Sequence, residues 1–488
     1  MNKKIVLHSL AQIALLEAVL MLLPASVSLY YKEYQTVKVF LLVAACVAAL
    51  QVPIILLTKV KDNENMNFRD GVAIAAGGWI VISLFGALPF YISGEIPDFT
   101  NAFFESISGF TTTGSSILND VEALTKGMQF WRCFTHWVGG MGVLVLTVAI
   151  LPSDKKSSSL QLMRAECPGP TVEKLVPKGK SSALILYVIY TVLSLTMVAF
   201  LVFGGMPLYD SVCTTFATAG TGGFGIKNAG IGFYNSAYLE GVVTVFMIMF
   251  GLNFNIYYFI VMKRFSAIYK NSELKMYLTT IMVSIGLICA HTMAYGVYNS
   301  FSKAFRYSSF QVGSIMTSTG FATADFDSWP EFSKTILVLL MFIGACAGST
   351  GGGFKVSRVL ILVRTAKRNL RKLLHPKSVN VVKSDDKSLN IETVHGVSCY
   401  LIIYIMIFFI SLLIISLNNM DFTSSFTSVT TCFNNIGPGL GKVGPTCNFY
   451  ELSNLSKYTL SLDMLLGRLE CIPVLMMLAP SMWIKKLY

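Results

Sequence analysis

Long apolar stretches separated by short polar breaks run the length of the chain. They include Ile5 to Leu23, Ile80 to Tyr91, Ala183 to Phe203, Val242 to Met262, Tyr277 to Tyr298 and Tyr400 to Leu417. About 20 apolar residues in a helix cross the hydrocarbon of a bilayer, and most of these stretches suffice. Between them lie shorter, hydroxyl-rich segments: Ala102 to Phe110, Leu208 to Phe216, Phe310 to Met316 and Phe422 to Thr431. Each has room for two or three helical turns, too few to span, so each is predicted to dip into the membrane and return. Backbone of that kind is tolerated at depth only where protein buries it or where it lines an aqueous path. A short helix aiming its carboxyl end inward also directs roughly half a negative charge at the centre.

The pattern predicts an all-α integral membrane protein with two leading helices, near 5–30 and 36–58. Four helix–pore-loop–helix units follow around a central ion pore. Their first helices fall near 72–92, 182–204, 276–298 and 393–417, and their second near 128–151, 237–262, 331–363 and 457–484. The organisation is then residues 1–70 for the leading pair, with repeats over 71–165, 166–270, 271–375 and 376–488. The longest polar stretches are linkers near 152–181 and 365–392. The first apolar run lacks a clear small-residue cleavage site and reads as a retained helix.

Each pore segment ends at a glycine-centred triplet: Thr112-Thr113-Gly114, Gly220-Thr221-Gly222, Ser318-Thr319-Gly320 and Asn435-Ile436-Gly437. A ring of backbone carbonyls around a dehydrated cation needs four such segments, with dihedrals that glycine reaches without strain. In the second repeat two registers are open. Counting from Phe216 as from Phe110 and Phe433 selects Gly220; matching the Thr-Gly pair selects Gly222, which is preferred.

Composition agrees with a membrane class: 54% of the 488 residues are hydrophobic and 13% charged, against roughly 25% charged in soluble chains. Mean hydropathy is +0.62. The net charge of +12 does not indicate nucleic-acid binding, because Lys and Arg collect in alternate loops. These hold Lys59, Lys61 and Arg69; Lys155 to Lys180; Lys263 to Lys275; and Arg364 to Lys387. That alternation is the positive-inside signature, and with Lys3, Lys4, Lys485 and Lys486 it places both termini in the cytoplasm. Asp98, Glu105, Asp210, Asp325, Asp327 and Asp421 fall near pore-segment ends or outer loops, placed to concentrate cations. The ten cysteines show no metal spacing. Cys447 and Cys432 are expected outside, and the others mostly within apolar runs. His136 and His291 read as packing residues, with no metal site and no organic cofactor expected.

These residues resemble a known family. The chain is similar over essentially its full length to the bacterial Trk-type potassium-uptake membrane subunits of the Trk/Ktr/HKT superfamily. The likeness includes Arg164 to Thr171 (RAECPGPT), the four triplets and Leu465 to Glu470 (LLGRLE). The two leading helices and the RAExPGP stretch look like the TrkH/TrkG branch more than KtrB. The resemblance implies four covalently linked, potassium-channel-like units around one pore in the bacterial cytoplasmic membrane. It further implies potassium as the transported ion, a homodimer in membrane lipid, and a cytosolic TrkA-like regulatory subunit that binds nucleotides. In the family, serine at the first-repeat filter glycine goes with sodium preference, and Gly114 favours potassium. The fourth triplet, with no Thr, departs from the pattern.

The second helix of the third unit contains Gly348-Ser349-Thr350-Gly351-Gly352-Gly353. Each interior glycine costs a helix about 1 kcal/mol relative to alanine, so unwinding is expected there. By resemblance the stretch is an intramembrane gate below the filter; otherwise it is a packing kink. A phosphate-loop reading lacks the Gly-Lys-Ser/Thr ending, since Phe354 precedes Lys355. Arg468 lies inside the last span, where a cation needs a cavity or a partner. The resemblance puts it just below the filter, and the alternative is an ion pair with Glu470 or Asp463. Two other classes are weighed. A proton- or sodium-coupled symporter calls for paired intramembrane carboxylates, whereas a hydrolase would use Ser349 without any accompanying His or Lys pattern. The chain is not expected to be an enzyme.

Overall fold

The computed structural model describes residues 1–58, 66–142, 179–377, 381–385 and 387–483. Within them the chain is helical apart from one antiparallel pair, Lys383–Ser384 with Lys387–Ser388. Lys59, Lys61, the Arg164 to Thr171 stretch with most of its linker, Lys485 and Lys486 lie outside the described residues.

The leading segment comprises α1 (Lys3–Leu20), α2 (Leu22–Tyr30) and α3 (Tyr34–Leu57). The first unit follows as α4 (Phe68–Ile92), α5 (Phe99–Phe110) and α6 (Lys126–Gly140). The second holds α7 (Gly179–Phe203), α8 (Leu208–Ala219), α9 (Ala237–Phe250), α10 (Phe254–Val261) and α11 (Phe265–Lys270). The third holds α12 (Ser272–Ala294), α13 (Phe301–Met316), α14 (Glu331–Ile343) and α15 (Val356–Leu374). The fourth holds α16 (Ile391–Ile415), α17 (Phe422–Phe433), α18 (Asn454–Arg468), α19 (Ile472–Leu478) and α20 (Pro480–Trp483).

Among the described residues six helices are long and apolar enough to cross a membrane, or seven if the bent pair α9 and α10 counts as one. On α7 the buried positions Tyr187, Tyr190, Ser194, Met197 and Leu201 recur every three or four residues. Leu184, Val188, Val192 and Leu195 between them stay exposed. A helix apolar all round presents one stripe to protein and the rest to lipid, so hydropathy alone does not reveal its packed face.

An interruption is expected from the sequence only at the third unit's glycine stretch, yet the second helices of the other units are not uninterrupted spans either. α6, α9, α14 and α18 have only 15, 14, 13 and 15 residues. At 1.5 Å per residue they reach about 20 Å, short of the roughly 30 Å hydrocarbon core. The 237–262 segment bends by 91° between α9 and α10, and the Asn253 side chain caps the new helix through the Asn255 amide (2.9 Å). The 331–363 segment unwinds from Gly344 to Lys355. The 457–484 segment breaks after Arg468, where Glu470 and Cys471 are left-handed (φ 58° and 60°). Residues 143–151 of the first unit's second helix lie outside the description.

The short helices close a ring. Each packs against the second helix of the preceding unit: α8 on α6, α13 on α9, α17 on α14, and α5 on α18. The leading helices pack on the first unit from outside. Glu33, between α2 and α3, takes the first amides of α6, Lys126 (2.7 Å) and Gly127 (3.0 Å).

Candidate ion pathway

Immediately after each short helix the backbone makes the same excursion. Thr112, Thr221, Ser318 and Asn435 are left-handed, with φ between 54° and 58°. The residues two further on, Gly114, Gly223, Gly320 and Gly437, have φ of 79°, 76°, 83° and 97°. The residue between donates its amide five positions back: Thr113 to Ser108, Gly222 to Ala217, Thr319 to Ser314 and Ile436 to Thr431, all at 2.8–2.9 Å. These matched bonds correct the second register. The segment is Thr221-Gly222-Gly223, and Gly223 stands where Gly114 stands in the first unit. Gly220 (φ −71°) is the end of α8 and Gly222 is the middle residue. The expectation that glycine alone takes the left-handed sites also needs correcting, since Thr, Ser and Asn occupy the first one. Asn tolerates that region through its short polar side chain, which is how the fourth segment keeps the shared backbone without a Thr.

The glycines need their bareness because the segments interlock. A Cβ on Gly114 would strike the Gly222 carbonyl oxygen. One on Gly223 would strike that of Thr319, and one on Gly320 that of Ile436. The circle closes from Gly437 to Thr113, where the separation is a looser 3.0 Å. Gly320→Ala should therefore impair rubidium uptake more than Gly437→Ala in cells expressing equal protein; the reverse order would contradict the tighter closure at Gly320.

Side chains brace the ring from behind. Thr111 and Thr113 hydroxyls lie 2.8 Å apart, and Thr317 and Thr319 2.7 Å. Asn435 donates to the Thr113 hydroxyl (2.9 Å) and to the Met464 carbonyl (2.9 Å), joining the fourth unit to the first. Asn434 accepts from Tyr404 (2.9 Å). His136, expected as mere packing, bridges two segments: Nδ1 lies 2.7 Å from the Gly109 carbonyl, and the Phe224 amide donates to Nε2 (3.3 Å). Cys432, expected outside, is buried in α17, with its Sγ 3.5 Å from the Ser115 hydroxyl.

Of the acidic residues, Asp98 and Asp421 cap α5 and α17. Glu105 departs from the expected cation-collecting role. It is buried, paired to Arg132 at 2.5 Å, and accepts from the Ile117 amide (3.0 Å). Arg132 also donates to the Gly225 carbonyl (2.8 Å) and covers the Phe224 ring at 3.6 Å. Breaking a buried pair on one side costs about 3–5 kcal/mol. Arg132→Ala should lower the melting temperature of the purified protein markedly, and an unchanged melting curve would refute this bracing role. At the exposed outer surface, hydrogen bonds from Asn228 and Lys227 hold Asp120 and Glu122 below the ordinary carboxylate range.

The glycine stretch lies against the ring. Gly348, Ser349, Thr350, Gly351, Gly352 and Gly353 all fall in the Gly344–Lys355 loop, with Gly348 (φ 70°) and Gly353 (φ 79°) left-handed. Gly352 donates to the Ser318 hydroxyl (2.6 Å), and its Cα side faces the Asn434 carbonyl. The Thr350 hydroxyl donates to Phe250 (3.2 Å), and Ser349 to Cys346 (2.7 Å). Lys355 donates to the Gly351 carbonyl. Arg468 donates to the Thr350 carbonyl (2.6 Å) and to those of Gly139 (2.5 Å) and Gly140 (2.6 Å) at the end of α6. The candidate partners Glu470 and Asp463 are engaged elsewhere, Glu470 with Arg358 and Asp463 with Ser411 (2.7 Å).

A family model described as TrkH, cation transport protein, matches residues 36–486. The Trk system potassium uptake protein TrkH of Escherichia coli (strain K12) is 36% identical over 428 residues, which is 87% of this chain and 88% of that protein. TrkH of Vibrio parahaemolyticus serotype O3:K6 is 34% identical over 482 residues, 96% of each chain. The crystal structure of the potassium transporter TrkH from Vibrio parahaemolyticus superposes with a TM-score of 0.89 at 30% identity. That match covers 99% of this chain and all of that one.

Proposed function

The chain belongs to the TrkH family of cation transport proteins, and from that premise we propose that it carries potassium through a channel-like pore in the bacterial cytoplasmic membrane. The closed circle of glycine-to-carbonyl contacts from Gly114 through Gly223 and Gly320 to Gly437 carries this reading. Four extended segments so locked present carbonyl dipoles toward one axis and replace an ion's hydration shell. The inward carboxyl ends of α5, α8, α13 and α17 add negative potential there.

The loop from Gly344 to Lys355 is the gate, and Arg468 is its latch. The guanidinium holds Thr350 against the end of α6, and its charge opposes a cation leaving the ring. Opening requires these bonds to be released together, a task suited to a cytosolic partner. We assign that role to a nucleotide-binding TrkA-like subunit acting on a homodimer. Both termini then face the cytoplasm.

One observation favours a second reading, proton-coupled symport. Glu17 and Asp463 are buried carboxyls, and Glu17 Oε1 and Oε2 and Asp463 Oδ2 have no hydrogen-bond partner among the described residues. Intramembrane carboxyls are expensive and mark proton pathways. Purified protein in liposomes separates the readings. Potassium and rubidium flux exceeding sodium flux, with no proton gradient, is expected. Equal sodium flux would mean the ring is no filter, and flux that needs a proton gradient and fails in Asp463→Asn would establish symport.

A further inference from the structure

Away from the pore, where α12 and α16 begin, six cationic side chains line a cavity of about 320 Å³: Lys270, Arg364, Lys367, Arg368, Arg371 and Lys383. Asp385 is the one carboxylate among the described lining residues, and it already accepts the Ser272 amide (2.8 Å). Arg364 donates to the Lys383 carbonyl (2.6 Å) and Arg368 to Asn369. Lys270, Lys367 and Arg371 make no side-chain hydrogen bond or ion pair among the described residues. Like charges gathered around one small volume repel, and an anion in the cavity relieves that repulsion.

The location indicates the source of the anion. α12 and α16 are both candidate membrane spans, so the cavity opens at the level of the bilayer surface. Its wall α15 is amphipathic, with Val363, Leu370, Leu373 and Leu374 exposed, and α11 exposes Phe265 and Tyr269. An amphipathic helix with basic and apolar faces lies in the lipid interface, and basic pockets beside spans take phosphate headgroups.

We propose that this cavity binds the phosphate headgroup of an anionic phospholipid, its acyl chains lying along the exposed apolar face of α15. The site adjoins the gate. Ser272 lines the cavity, while the next residue, Glu273, accepts the Ala347 amide of the loop (2.6 Å). α15 itself starts where that loop ends. Any effect on flux rests on the gate reading, but lipid binding does not.

Native mass spectrometry of the full chain in detergent tests this, with phosphatidylglycerol, phosphatidylcholine, ATP or inorganic phosphate added. Wild type should retain phosphatidylglycerol and not phosphatidylcholine, with no displacement by ATP or phosphate. Arg368→Gln/Arg371→Gln, and separately the exposed Lys367→Gln, should weaken retention, the double variant by at least tenfold. Equal retention by all variants, or equal binding of phosphatidylcholine, overturns the site. ATP or phosphate binding without phosphatidylglycerol retention overturns the lipid source.

Discussion

Gly114→Ser should turn a potassium-selective pore into one that admits sodium. The new Cβ has no room, because the Gly222 carbonyl occupies its place. Serine must also hold φ near 79°, where a non-glycine residue costs about 1–2 kcal/mol. The carbonyl therefore moves or turns, and one of the dipoles fitted to potassium is lost. A change of about 1.4 kcal/mol in relative ion binding is tenfold, so the rubidium-to-sodium flux ratio should fall by roughly that factor or more. The register makes a paired expectation. Gly223→Ser should match Gly114→Ser in selectivity loss, since Gly223 meets the Thr319 carbonyl in the same way. Gly220→Ser meets the backbone of His136, so it should reduce folded protein while leaving the selectivity of what folds unchanged. Selectivity unaltered in both Gly114→Ser and Gly223→Ser would falsify the ring.

Arg468→Ala should raise basal flux. Three carbonyls lose a charged donor, at Thr350, Gly139 and Gly140. Hydrogen bonds to charged groups contribute about 1.5–3 kcal/mol each, so a closed loop loses several kcal/mol relative to an open one. The positive charge beneath the ring disappears as well. Liposome flux without any cytosolic partner should rise at least tenfold, with potassium selectivity retained because the ring is untouched. Arg468→Lys separates the two causes: a lysine keeps the charge but not the planar fork that spans the loop and the end of α6. Flux near the alanine level in the lysine variant assigns the effect to the latch, and flux near wild type assigns it to charge. Lower flux in Arg468→Ala, with protein of normal size and melting behaviour, would rule out the latch.

The all-helical membrane class and the four glycine segments were readable in the sequence because each rests on local chemistry. Apolar length sets the long helices, hydroxyl-rich segments set the short ones, and consecutive glycines set the unwound loop. First-helix boundaries fell within a few residues, as α12 (Ser272–Ala294) against 276–298 illustrates. The second-repeat register was not readable. Gly220, Gly222 and Gly223 are chemically alike, and only the neighbouring Thr319 carbonyl distinguishes the one that must lack a side chain. The bend in the second unit's second helix was also hidden, because Ile248 to Val261 is apolar but for Asn253 and Asn255, and Asn253 caps α10 only once the chain has turned.

By itself, then, the sequence determined the membrane class and the places of the short helices and of the glycine segments that follow them. Tertiary structure alone decided which carbonyl meets which glycine, that Glu105 joins Arg132 and not the outer surface, and that Arg468 reaches Thr350, Gly139 and Gly140. Those contacts join residues 27 to 329 positions apart. Hydropathy acts along a few turns of chain, whereas the ring and its latch exist only once four separate units have closed on one axis.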